Sequence, residues 1–137
     1  MGLILDSSVV IAAERLGQTA YQMLERISQQ KNDPEIAISV VTVLKLAHGI
    51  TRADTPVRHG GRQQFLDDLL AGMPVHHVTV AIALRAGQTD GQMQVAGKRI
   101  ALADLLIGST ALELGYSVAT ANPRHFAMIP NLVLEQL

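Results

Sequence analysis

Two of the twelve acidic residues stand where a charge is costly. Asp6 follows the apolar run Leu3-Ile4-Leu5 and precedes Val9-Val10-Ile11. Asp104 sits between Leu102 and Leu105, at the head of the most apolar stretch of the chain. A lone carboxylate in such surroundings must be paired, hydrogen-bonded or holding a cation. Either residue alone reads equally well as a helix N-cap, where the helix dipole stabilises a carboxylate by ~0.3–1 kcal/mol. Two together, each at a helix head, point instead to a shared site. Converging carboxylates repel one another, and a hard divalent cation relieves that repulsion. Mg²⁺ suits such a site because it takes few protein carboxylates and keeps several waters. A bound ion of this kind can activate water and stabilise charge on a phosphate during hydrolysis.

The elements that must carry these acids are legible in the apolar pattern. Leu3–Leu5 and Ile36–Ile38 read as buried strands, and Val75–Val80 and Val118-Ala119 as further short ones. Leu132–Leu134 reads as one more edge strand. Between them fall helical segments. Ser7 or Ser8 is placed to cap the first, which runs through Val9–Ala13 toward Gly17. Thr19-Ala20-Tyr21-Gln22 has the form of a capping box, and Ala20, Met23, Leu24 and Ile27 then share a face. Ser39–Ile50 reads as a helix, and Arg52–Gly61, with Pro56 and a Gly pair, as a loop. Phe65, Leu66, Leu69 and Leu70 stripe the next helix. Ala81–Ala96 is a weaker one, interrupted by Gly87 and Gly91 at ~1 kcal/mol each relative to Ala. Ala103–Leu114 is apolar nearly all round, as a central buried helix would be, and Gly115 ends it. Strands alternating with helices predict an α/β fold: a mainly parallel sheet of about four to five strands, with helices on both faces. In such a sheet the Asp6 junction is the carboxyl edge of a strand, where ligands bind.

Composition bounds the rest. The 137 residues fit one domain, residues 1–137, with no repeat or linker. With two Phe, two Tyr and no Trp, the core must be aliphatic. No apolar run approaches the ~20 residues of a membrane span. Asp6 comes too early for a signal peptide, so a cytoplasmic protein is expected. With no Cys, disulfides and thiolate metal sites are excluded. A net charge of −1 gives no broad electrostatic footprint for nucleic acid. Local clusters remain that can contact phosphates: Arg52, Arg58, His59 and Arg62; Lys98 and Arg99; Arg124 and His125.

Four segments resemble a known family. Leu3-Ile4-Leu5-Asp6-Ser7-Ser8-Val9-Val10-Ile11 resembles the opening of a PIN domain, usually written LILDTSVLI. Ile38-Ser39-Val40-Val41-Thr42 is similar to its second-strand segment, and Asp104–Leu112 to its DLLIAATAL helix. Thr120-Ala121-Asn122-Pro123-Arg124-His125-Phe126 resembles its closing T-x-N-x-x-x-F motif. The segments occur in family order and cover nearly the whole chain. The resemblance implies a doubly wound, mainly parallel PIN fold. It implies a Mg²⁺- or Mn²⁺-dependent endoribonuclease acting on RNA, the VapC toxin of a toxin–antitoxin pair. It also implies a homodimer and a small VapB-like antitoxin that inserts into the active-site groove. Of the family's four acidic positions, the first falls on Asp6 and the third on Asp104, the implied metal ligands. The second falls on Lys45, where a Glu is expected, and the fourth on His125. These four residues form the candidate catalytic set.

Lys45 changes the local charge by two units relative to Glu. A fixed cation ~4–5 Å from a metal repels it by several kcal/mol at moderate dielectric. The ammonium is expected to sit among Asp6 and Asp104, neutralising the acids without activating water, so that Mg²⁺ binds weakly and RNA is cleaved poorly. A rotated helix would instead turn Lys45 to solvent. Natural divergence and a change selected to disarm a toxin both fit its presence. His125 can shuttle a proton, contact a phosphate or ligate metal, with a place just behind the ligands favoured. Ser8 and Asn122 fall behind the ligands too: Ser8 caps its helix or touches a metal-bound water, and Asn122 bonds within its turn or to Asp6. His48 is expected to pack near its helix end, and His76 and His77 to alternate on a strand. Two rivals stand beside the nuclease. One is a non-catalytic PIN protein that binds antitoxin or RNA. The other is a receiver-like phosphoacceptor using Asp6; such domains want a late Lys, and Tyr116–Leu137 has none.

Overall fold

A computed structural model describes residues 2–137. Five strands form one parallel sheet: β1 (Gly2–Leu5), β2 (Glu35–Ser39), β3 (Val75–His76), β4 (Ser117–Thr120) and β5 (Leu134–Gln136). Their order across the sheet is β3-β2-β1-β4-β5. Six helices connect them: α1 (Ser7–Arg15), α2 (Ala20–Gln30), α3 (Val40–Thr51), α4 (Pro56–Gly72), α5 (Val80–Val95) and α6 (Leu102–Leu114). A short 3₁₀ turn covers Pro123–His125. None of the described helices is long and apolar enough to cross a membrane.

The central strands are apolar on both faces because both are covered. Successive side chains point to opposite sides. Leu3, Leu5, Ile38 and Ala119 therefore join one core with α1, α2 and α4, through Val9, Val10, Ala13, Met23, Ile27, Phe65 and Leu69. Ile4, Ala37 and Val118 point the other way, onto Ile107 and Ala111 of α6 and onto Phe126 and Ile129. A residue just past β1 or β4 thus leaves the sheet at its carboxyl edge, between two sealed cores.

Three boundaries differ from the sequence expectation. The segment Arg52–Gly61 is not a loop throughout, because α4 begins at Pro56. Thr55 caps it, its hydroxyl accepting from the Arg58 amide at 3.1 Å, and Pro56 fills the first turn, where no amide partner is needed. The strand expected over Val75–Val80 stops at His76, since the Thr79 hydroxyl accepts from the Ile82 amide and starts α5. The edge strand is shifted to Leu134–Gln136, whose Leu134 pairs with Val118. Elsewhere local chemistry acts as the pattern implies. Thr19 and Gln22 form a reciprocal capping box, and Gly115 closes α6 with φ at 69°.

Candidate functional site

Parallel register brings the first groups together. Leu5 pairs with Ala119, and the ladder continues as the Asp6 amide donates to the Ala119 carbonyl at 3.0 Å. Asp6 and Thr120 therefore leave neighbouring strands side by side. The Thr120 hydroxyl donates to Asp6 Oδ2 at 3.1 Å, and the Ser8 hydroxyl donates to the same oxygen at 2.7 Å. Each hydroxyl is itself anchored: the Ala121 amide donates to Ser8 Oγ and the Asn122 amide to Thr120 Oγ1. Asp6 is only 2% exposed, and its Oδ1 is buried with no hydrogen-bond partner. A buried carboxylate oxygen without a partner, while its twin accepts two bonds, is an acceptor left open.

Asp6 occupies the N-cap position of α1, but its side chain makes no capping bond there. Neither Ser7 nor Ser8 is the cap, because Ser8 is committed to Asp6 and Ala121. Asp104 lies inside the first turn of α6, and the N-cap is Ala101. The helix dipole stabilises a carboxylate at that place, but Asp104 caps no amide.

Asp104 is 6% exposed and meets two basic side chains. Lys45, from the middle of α3, puts Nζ 3.5 Å from Asp104 Oδ1. His125, at the end of the 3₁₀ turn, puts Nδ1 3.6 Å from Asp104 Oδ2. Lys45 is thus turned inward, not rotated to solvent; it reaches Asp104 and makes no ion pair with Asp6. His125 is more than half exposed, open to a ligand approaching from outside.

The remaining candidates take lesser places. Asn122 engages its own turn through its backbone: its amide donates to Thr120 and its carbonyl accepts from His125. Its side chain does not hold Asp6, because Ser8 and Thr120 hold one oxygen and the other is free. His48 is exposed on the last turn of α3, not packed. His76 lies in β3 with its ring edge-on to Tyr116, and His77 is exposed beyond the strand. Thr120 was named only as part of a motif in the sequence. Its signal was the register that sets it beside Asp6.

The donor set can be tested against a hard cation. Asp6 Oδ1 fits, being an anionic oxygen, buried and unpartnered. Asp104 is the second carboxylate, engaged by Lys45 and His125. Among the described residues no group of three or more His, Cys, Asp or Glu side chains is placed to hold a metal. An open groove of about 140 Å³ between α1, α3 and α4 runs up to Lys45, lined by Val10, Ile11, Leu46, Phe65 and Leu66.

Comparison with known proteins agrees with this architecture. The PIN domain family model matches residues 3–131. Ribonuclease VapC2 of Rickettsia felis is 26% identical over 133 residues, covering 96% of this chain and 95% of that protein. Among solved structures, VapBC2 of Rickettsia felis bound to a promoter DNA fragment superposes with a TM-score of 0.84 at 25% identity, covering 100% of this chain and 99% of that one. DNA-bound VapBC from Salmonella typhimurium shares the fold at a TM-score of 0.81 and 21% identity, covering 99% of this chain and 98% of that one. The protein folded around Asp6 and Asp104 belongs to the PIN domain family.

Proposed function

We propose that this chain is an endoribonuclease toxin of the VapC kind, Mg²⁺-dependent (or Mn²⁺-dependent), with its activity weakened by Lys45. The observation that carries the reading is Asp6: a buried carboxylate on the carboxyl edge of the sheet, with one oxygen fixed by two hydroxyls and the other free. The curated relatives named as VapC ribonucleases support the activity. Asp6 and Asp104 would hold the ion. Bound there, it would supply activation of water and charge stabilisation on the phosphate.

The other residues have work that follows from their positions. Ser8 and Thr120 prevent Asp6 from rotating, which fixes where its free oxygen points. His125, exposed beside Asp104, meets the RNA backbone. Lys45 neutralises Asp104 and reduces the anionic charge available to a cation. The partner is a small VapB-like antitoxin, as in the VapBC complexes among the structural relatives, and the apolar groove leading to Lys45 gives it a seat. The working form is a cytoplasmic homodimer.

A second reading is favoured by one contact. Because Lys45 already occupies Asp104, the chain can act as a non-catalytic PIN protein that binds antitoxin or RNA. Cleavage of a labelled RNA by the purified chain and by Lys45→Glu, in Mg²⁺, separates the two. The nuclease reading expects slow cleavage by the parent and a rate at least tenfold higher for Lys45→Glu. Equal absence of cleavage from both would favour the binding protein.

A further inference from the structure

The four oxygens of Asp6 and Asp104 are not equally available. Asp6 Oδ2 accepts from Ser8 and Thr120. Asp104 Oδ2 faces His125, and Asp104 Oδ1 faces the Lys45 ammonium at 3.5 Å. Asp6 Oδ1 is buried with no partner, and Asp104 Oδ2 has His125 nearby at 3.6 Å but no hydrogen bond. An arriving cation would thus find Asp6 Oδ1 free, and at Asp104 it would meet a positive charge tethered 3.5 Å from the carboxylate.

We propose that Lys45 is a built-in competitor for the metal, an internal cation that holds Asp104 in the resting state and keeps the site shut to divalent ions. This differs from Lys45 being only a missing ligand. A missing ligand weakens metal binding by what it fails to contribute. A competitor weakens it by what must be removed first, and the geometry carries the second because the ammonium touches the carboxylate. The Lys45 side chain is about one-third exposed, so it can swing outward on its flexible stem without the helix moving. The latch is therefore reversible: a high ion concentration, or an anionic group that draws Lys45 away, opens it. An RNA phosphate is such a group. Substrate and metal are then coupled, each easing entry of the other. The inference rests on the reading of Asp6 and Asp104 as the metal-holding pair.

Calorimetric titration of Mn²⁺ alone into the purified full chain tests it, using the parent, Lys45→Met, Lys45→Arg, Lys45→Glu and Asp6→Asn. Competition predicts that Lys45→Met, which adds no ligand, binds Mn²⁺ at least tenfold more tightly than the parent. Lys45→Arg stays as weak as the parent, and Lys45→Glu is tightest. Melting curves with and without Mn²⁺ give a second reading: the ion raises the melting temperature of Lys45→Met and leaves that of the parent nearly unchanged. Equal affinity of Lys45→Met and the parent, with tighter binding by Lys45→Glu, would overturn competition and leave the Asp6–Asp104 pair standing. Binding that survives intact in Asp6→Asn, or no binding by any variant, would overturn both.

Discussion

Asp6 keeps one oxygen free because the other is held twice, by Ser8 and by Thr120. Removing one of those hydroxyls should loosen the aim of the carboxylate more than it harms the fold. Thr120→Val preserves shape and deletes the donor. It also strips the Asn122 amide of its acceptor, so a stability loss of ~1–2 kcal/mol is expected. Groups that orient a metal ligand typically contribute 10–100-fold in metal affinity or activity. In the Lys45→Glu background, Thr120→Val should therefore lower Mn²⁺ affinity by about tenfold or more in calorimetry. Unchanged affinity would show that Ser8 alone positions Asp6. Asp6 and Asp104 could be read from the sequence because apolar flanks make a carboxylate conspicuous. Lys45 and His125 stood out because they fall on the second and fourth acidic positions that the family resemblance implies. Thr120 was harder to see. A Thr at the end of a strand is an ordinary β-former, and only the pairing of β1 with β4 sets it beside Asp6.

At the scale of elements, strands and helix faces were legible wherever an apolar period ran uninterrupted, as in β1, β2, β4, α2 and α6. Breakers misled. Pro56 and the Gly60-Gly61 pair read as a loop, yet they lie in α4, whose Phe65, Leu66 and Leu69 are buried. Tertiary burial there outweighs ~1 kcal/mol per Gly. The amino edge of the sheet shows a device that no period reveals. The Tyr116 ring crosses β1 so closely that a side chain at Gly2 would collide with it, and its hydroxyl donates to Glu35. That hydrogen bond, aided by partial burial and by the carboxylate charge, raises the Tyr116 pKa above the ordinary 10.0. A raised folded value means the contribution to stability is complete below the unfolded value and is lost as pH climbs through the folded one. Titration of tyrosinate absorbance, parent against Tyr116→Phe, should place the Tyr116 transition above 10.0. Glu35→Gln should bring that transition down. A Tyr116 transition that Glu35→Gln leaves in place would contradict the contact.

For the whole molecule, topology does what local sequence cannot. The β3-β2-β1-β4-β5 order puts the ends of β1 and β4 side by side, while α3 and α6 bring Lys45 to Asp104 from residues far apart in the chain. The alternation of strands and helices made the parallel sheet legible. The meeting of α3 with α6 was not, because helix packing leaves no period in either segment. With a net charge of −1, the proposed RNA substrate would have to be drawn by local groups near the site and not by a general field. The central claim is that RNA is cut at the Asp6–Asp104 centre. The single-turnover cleavage rate of one labelled RNA by the Lys45→Glu chain, measured across Mg²⁺ concentrations with and without Asp6→Asn, tests it directly. The expected result is a rate that rises and saturates with Mg²⁺, vanishes in chelator, and falls at least a hundredfold with Asp6→Asn. Cleavage that persists in chelator, or that is indifferent to Asp6→Asn, would place the chemistry elsewhere and contradict the account.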